Sequence, residues 1–289
     1  MTPESVYLID LARRNLQPYL ALPQVRAALI TGSAALGLSD RYSDIDMMIY
    51  YDTLPGDAEL VAARQHNGGE EIWRVDNRAE GELMESYRVQ GVECQIAHAT
   101  IAAWERDMTI VLEQHDVNTP LHKALSGTLE GIPLHGAELI ETWQAKIADY
   151  SPALAQVMVE QHLQFFPLWN LQEQLATRDA VLWRYQILTE AAYNLLAILA
   201  GLNRLYFTSF QFKRLHHFAA QMAIKPADFA ARLDRLFSAQ PAEAALELKV
   251  LVDETLDLVA QHMPQVGVEN VNQRLNRSRP PWQIPAAKA

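Results

Sequence analysis

Residues 29–52, LITGSAALGLSDRYSDIDMMIYYD, decide how this chain is read. A run of β-type apolar residues, VRAALITG at 25–32, stops at Gly32-Ser33. A short helix or turn (33–38) and a polar loop (39–43) follow, and then Asp44-Ile45-Asp46 opens a second apolar run ending MMIYY. Aspartate is disfavoured inside strands. Side chains alternate along a strand, so Asp44 and Asp46 are expected to share one face while Ile45 and Met47 take the other. Two carboxylates on one face repel unless something positive lies between them. Hard oxygen ligands at this spacing, with room for water and phosphate, are the pattern that suits Mg²⁺, as one or two ions. Gly32-Ser33 closes a strand and opens a helix, and the missing Cβ lets a phosphate approach the backbone closely.

The rest of the first half arranges itself around that pair. Residues 4–20 read as a helix behind Pro3, residues 53–67 as another, and 70–77 and 81–89 as strands joined by a turn. GVECQIAHA (91–99) alternates, with Val92, Cys94 and Ile96 on one side and Glu93 and Gln95 on the other. Glu93 is the candidate third carboxylate, with a plain solvent-facing strand residue as the alternative. Asp40 and Ser43 are expected to shape the loop through local side-chain to backbone bonds. The lone cysteine, Cys94, excludes an internal disulfide, fits a reducing compartment and is expected to pack in the core.

Strand signals fade beyond residue 100, and GIPLHG (131–136) is read as the connection between domains. Helices are expected near 137–149, 152–176, 179–202, 208–221, 226–237 and 241–263. The anticipated organisation is α+β: a domain over 1–135 with a small mixed sheet flanked by helices, an all-helical bundle over 136–265, and an extended or disordered tail over 266–289. The chain carries 24 Lys and Arg against 35 Asp and Glu, a formal charge of −11. Most of that excess lies in the first half, which argues against general DNA or RNA binding. Acidic and basic residues in the first turns make the N-terminus unlike a signal peptide, and AAYNLLAILAGL is too short to span a bilayer. A cytoplasmic protein without membrane attachment is expected.

In the helical half, Gln186, Glu190 and Asn194 form a polar stripe on an otherwise apolar helix. It is either a solvated face or one lining a cleft, with Glu190 at the acceptor. Arg184, Arg204, Lys213 and Arg214 are candidate cations for a triphosphate or an acceptor. The nine histidines show no metal-ligand spacing.

The stretch TGSAALGLSDRYSDIDMMIYY resembles the signature of the polymerase-β-type nucleotidyltransferase superfamily: Gly-Ser, about ten intervening residues, Asp-x-Asp, an apolar strand and a later acidic residue. The match covers roughly the first hundred residues, and the helical second half resembles the aminoglycoside and lincosamide nucleotidyltransferases. Leu36 stands where many members carry a basic residue. The resemblance implies transfer of a nucleoside monophosphate from an NTP, usually ATP, to a hydroxyl, with release of pyrophosphate. It further implies that Gly32 and Ser33 grip the triphosphate; Arg184 and Lys213, from the helical half, are the nucleotide-binding candidates that the chain's own cations add. Asp44 and Asp46 would hold a Mg²⁺ pair, with Glu93 as third ligand or general base. A small-molecule acceptor bound in the cleft between domains is the first expectation. A tRNA or protein acceptor, as in the antitoxin-like members, and a nucleotide sensor without turnover are the alternatives.

Overall fold

In the computed structural model, residues 1–168, 171–277 and 282 are described, and they divide into two compact units, 1–150 and 151–289. The α+β organisation expected from the sequence is the one observed: a mixed sheet with helices, followed by helices alone.

The first unit begins with α1 (Pro3–Leu20), whose N-terminus is capped by Thr2, its hydroxyl accepting from the Ser5 N–H at 3.1 Å. There follow β1 (Val25–Ile30), the short helix α2 (Gly32–Ala35), β2 (Ile45–Tyr51) and α3 (Asp57–His66). Next come β3 (Glu70–Asn77), β4 (Glu82–Val89), β5 (Val92–Thr100), α4 (Ile101–Leu112), α5 (Leu121–Glu130), β6 (Ile132–His135) and α6 (Ala137–Ala148). The six strands form one sheet in the order β3-β4-β5-β2-β1-β6. β2 and β5 run parallel, and every other neighbouring pair is antiparallel.

The alternation of β2 sorts its side chains between two faces. Ile45, Met47, Ile49 and Tyr51 join Leu8, Leu16 and Tyr19 of α1 and Leu60 of α3 in the hydrophobic core. Asp46, Met48 and Tyr50 take the other face, where the Tyr50 ring lies 4.6 Å from that of Trp143 on α6 and 5.8 Å from that of Trp104 on α4.

The domain boundary expected at 135/136 falls instead at 150/151. GIPLHG is not a linker: Ile132–His135 is an edge strand paired with β1, and α6 packs on the same sheet. Its Pro133 is tolerated because an edge strand leaves one side of the backbone unpaired. The flanking glycines mark close approach. A Cβ on Gly136 (φ +61°) would sit 2.1 Å from the Arg26 carbonyl oxygen, and one on Gly131 would sit 2.4 Å from Leu29 Cδ1.

The second unit holds α7 (Pro152–His162), α8 (Leu171–Thr177), α9 (Val181–Asn203), α10 (Leu215–Ala220), α11 (Phe229–Ser238), α12 (Pro241–His262) and α13 (Glu269–Asn276). The helix expected over 152–176 is broken, with irregular chain at 163–168. Pro167 lacks an N–H and steers the residue before it away from helical geometry. The expected helix at 208–221 begins as a 3₁₀ turn, Ser209–Arg214. α13 occupies ground read as tail, and the tail beyond it lies, apart from Arg277 and Trp282, outside the described residues. No helix among the described residues is long and apolar enough to cross a membrane.

Candidate active site

β1 and β2 are tied at their site end by the Thr31 N–H, which donates to the Asp46 carbonyl at 2.8 Å. The chain then turns through Gly32 at φ +65°, in the left-handed region that favours glycine. A Cβ built on Gly32 would lie 2.3 Å from Asp46 Oδ2 and 3.2 Å from its Cγ. The carboxylate of Asp46 therefore rests directly on the bare backbone of Gly32. Ser33 follows, its hydroxyl 3.1 Å from that of Ser39.

The loop leading to Asp44 is fastened at both levels. Asp40 Oδ1 accepts from the Tyr42 N–H (2.9 Å) and the Ser43 hydroxyl (3.0 Å), as its local role required, and the Asp40 N–H donates to Ser43 Oγ at 2.9 Å. The start of α1 holds the same loop: the Thr2 N–H donates to the Gly37 carbonyl (3.1 Å), the Thr2 hydroxyl to the Ser39 carbonyl (2.9 Å), and the Ser39 N–H to Ser5 Oγ (3.0 Å).

Asp44 stands one residue ahead of β2, and the parallel register sets Asp46 opposite Gln95. Gln95 Nε2 donates to Asp44 Oδ2 at 3.1 Å and to Glu93 Oε1 at 3.3 Å, and the Ser86 hydroxyl donates to the same Glu93 oxygen at 2.9 Å. Glu93 thus shares the face of the aspartates but reaches Asp44 through an amide. Among the described residues, no three His, Cys, Asp or Glu side chains are grouped so as to hold a metal ion. Gln95 and Ser86 were not singled out as site residues. Gln95 had a signal, its place beside Glu93 on the polar side of an alternating strand. Ser86 had none, because its nearness depends on the pairing of β4 with β5.

The opposite face of the sheet carries a buried polar cluster. Glu85 Oε2 accepts from Arg64 at 2.7 Å and Glu85 Oε1 from the Tyr19 hydroxyl at 2.9 Å, with His98 Nε2 3.4 Å away. Burial alone would raise the Glu85 carboxyl, yet hydrogen bonds from His98, Arg64 and Tyr19 outweigh it and hold the group below its usual range. Burial pushes His98 down, so its ring is neutral, with Nδ1 paired to the Tyr51 hydroxyl at 2.8 Å. Cys94 lies on this face, where burial pushes its thiol up to about 12, and it packs as expected.

Arg184, Glu190 and Lys213 belong to the second unit. Arg184 lies over the Tyr185 ring at 4.9 Å, Lys213 over the Phe210 ring at 5.6 Å, and exposed Glu190 accepts from Gln186 at 2.9 Å. Asn194 leaves the stripe to bond His162 Nδ1 (3.0 Å) and the Gln164 carbonyl (2.6 Å).

No protein-family model and no curated protein matches the chain. Among solved structures, it is similar to a nucleotidyltransferase-like protein from Exiguobacterium sibiricum 255-15. The two share 10% identity over 89% of this chain and 78% of that one, with a TM-score of 0.37. A likeness that distant says nothing of activity, and nothing in it points to the antibiotic-modifying branch.

Proposed function

We propose that the chain is a Mg²⁺-dependent nucleotidyltransferase that moves a nucleoside monophosphate, AMP from ATP first of all, onto a hydroxyl of a small molecule. The observation that carries this reading is the contact between Gly32 and Asp46. A left-handed glycine pressed against a carboxylate leaves a cradle that any side chain would fill, at the head of a strand bearing a second carboxylate.

The donors suit Mg²⁺. Asp44 and Asp46 offer hard oxygens, and a phosphate passing over Gly32 can add its own, with water completing the shell. Mg²⁺ held there supplies neutralisation of the charge that gathers on the phosphate oxygens during in-line displacement. The backbone N–H groups at Gly32 and Ser33, with the Ser33 hydroxyl, orient the β and γ phosphates. Glu93 takes the role of base. It accepts the hydroxyl proton as the acceptor oxygen bonds to the α-phosphorus, and the bond from that phosphorus to the bridging oxygen breaks to release pyrophosphate. The Ser86 and Gln95 bonds fix the carboxylate for that transfer.

The test is pyrophosphate release from each of the four NTPs with Mg²⁺, together with MgATP binding by calorimetry, for the wild type and Asp46→Asn. Release and binding lost in a variant that melts no lower than the wild type is the expected result. Undiminished release from Asp46→Asn removes the assignment.

A further inference from the structure

β3 is an edge of the sheet, and its pairing with β4 is irregular at one place. Glu70 stands opposite Arg88 and Trp73 opposite Ser86, so three steps along β3 match two along β4. The extra residue is absorbed at a bulge where Glu71 takes φ +54°, a left-handed conformation uncommon outside glycine. Alternation makes the consequence definite. In unbroken register from Glu70, Ile72 would stand opposite Ser86, and Trp73 and Val75 would fall on the far side of the sheet. The bulge turns both onto the face of Asp46.

Rows read across the sheet then connect them to the site. One row runs Asp46, Gln95, Ser86, Trp73, and the next runs Met48, Ala97, Met84, Val75. Trp73 is 56% exposed, Val75 49% and Met84 37%, so three adjoining apolar side chains lie open on this face. With strands about 4.8 Å apart and about 3.3 Å per residue along them, Trp73 lies about 14 Å from Asp46 and Met84 about 12 Å.

We propose that Trp73, Val75 and Met84 form the acceptor subsite. It takes an uncharged molecule with a flat aromatic body and a hydroxyl that reaches back along the rows to the α-phosphate. This rests on the nucleotidyltransfer reading and adds the substrate class. Indole and thioether surfaces favour the faces and edges of aromatic rings. Polyanions find no match here: Arg88, on this face beside Glu93, already pairs with Glu71 at 3.0 Å, and the unit carries 23 Asp and Glu against 11 Lys and Arg. Bulges recur beside active sites because they re-aim a side chain, and a left-handed glutamate is a local strain retained for that effect.

The probe is 2-naphthaleneethanol, titrated by its fluorescence into wild type, Trp73→Ala and Trp73→Phe, with sorbitol as the polar control. MgATP affinity is measured in parallel. The expected result is naphthyl affinity at least tenfold weaker in Trp73→Ala and largely restored in Trp73→Phe, with MgATP affinity unchanged within twofold. The alcohol, but not sorbitol, should stimulate pyrophosphate release by the wild type. No binding to the wild type, equal binding by Trp73→Ala, or no stimulation overturns the proposal. A tenfold loss of MgATP affinity in Trp73→Ala also overturns it, by making the shelf a nucleobase seat. Asp46→Asn separates the two readings. MgATP binding lost with naphthyl binding kept supports both. MgATP binding kept removes nucleotidyl transfer, and with it the role of acceptor, whatever Trp73→Ala does.

Discussion

Gly32→Ala should damage activity far more than stability. The new Cβ would stand 2.3 Å from Asp46 Oδ2, and ordinary contact begins near 3.4 Å, so the oxygen must retreat by about 1.1 Å. A carboxylate at the end of a side chain can retreat by rotating, so the steric part costs little stability. What remains is the left-handed backbone, about 1–2 kcal/mol for alanine, offset by about 0.4–1 kcal/mol from a stiffer unfolded chain. A net loss of about 1 kcal/mol in urea unfolding follows. The functional cost is set differently, because a displacement of about 1 Å in a reacting group costs on the order of 100-fold in rate. Gly68→Ala is the matched control. Gly68 has the same φ, +65°, but a Cβ there meets nothing within 4 Å. It should lose the same stability and no activity. Pyrophosphate release and MgATP affinity compared across the wild type and the two variants decide the matter. If Gly32→Ala and Gly68→Ala turn over alike, the position of Asp46 over Gly32 has no part in the chemistry.

The sheet's other face gives two further expectations. Arg64→Ala strands the fully buried Glu85 carboxylate and should cost about 3–5 kcal/mol in denaturant unfolding, whereas Arg64→Met with Glu85→Gln should recover much of it. His98 is held below 6.5 by burial, so as pH falls past 6.5 the unfolded chain gains a proton that the folded chain resists. Glu85, held below 4.5, adds the same sign of effect in the carboxylate range. A wild-type melting temperature that falls from pH 7 to 5, and falls less in His98→Asn, is expected; equal slopes refute the neutral imidazole. Asp107 on α4 works in the opposite direction. Burial, reinforced by Glu82, pushes its carboxyl up to about 7 from 3.8. Between those values the folded chain holds more protons, so this group makes stability fall as pH rises. Asp107→Asn removes that opposing contribution, so its melting temperature should fall more steeply than the wild type's from pH 7 to 5, and melting curves from pH 4 to 8 for both proteins will show whether it does.

What could be read along the chain was what is encoded locally. Gly32-Ser33, the apolar flanks and the alternation of β2 and β5 are properties of neighbouring residues, and they placed Asp44, Asp46, Glu93 and Gln95 on a common face. Which of Glu93 and Gln95 stands opposite Asp46 was not legible, since it depends on the register of two parallel strands with one helix, α3, and a hairpin between them. β6 escaped notice because four residues with a proline carry no alternation, and its glycines resemble linker punctuation until β1 is seen pressed against them. The bulge left a trace. In EEIWRVDN two apolar residues, Ile72 and Trp73, stand side by side where strict alternation would separate them. α13 had less to show, being short and polar apart from Val271 and Leu275, the latter its one buried residue.

The opening pair of aspartates is tolerable because the two faces of one sheet carry different burdens. The α1 and α3 face holds the aliphatic core and closes around an ion pair in which Glu85 accepts from both Arg64 and the Tyr19 hydroxyl. Little on the other face beyond β5 contributes to folding: Trp73, Val75 and Met84 are partly open to solvent, and each forgoes roughly a third to a half of the 1.5–3 kcal/mol that full burial would return. Asp44 and Glu93 are kept from facing each other directly by a neutral amide that donates to both, which a carboxylate at position 95 could not do. Substitutions at Asp44, Glu93, Gln95, Trp73, Val75 and Met84 should therefore alter binding and turnover at small cost in stability, and substitutions on the α1 and α3 face should do the reverse. Gly32 is the exception that the geometry makes, because its backbone is shared by the strand connection and by the carboxylate it supports.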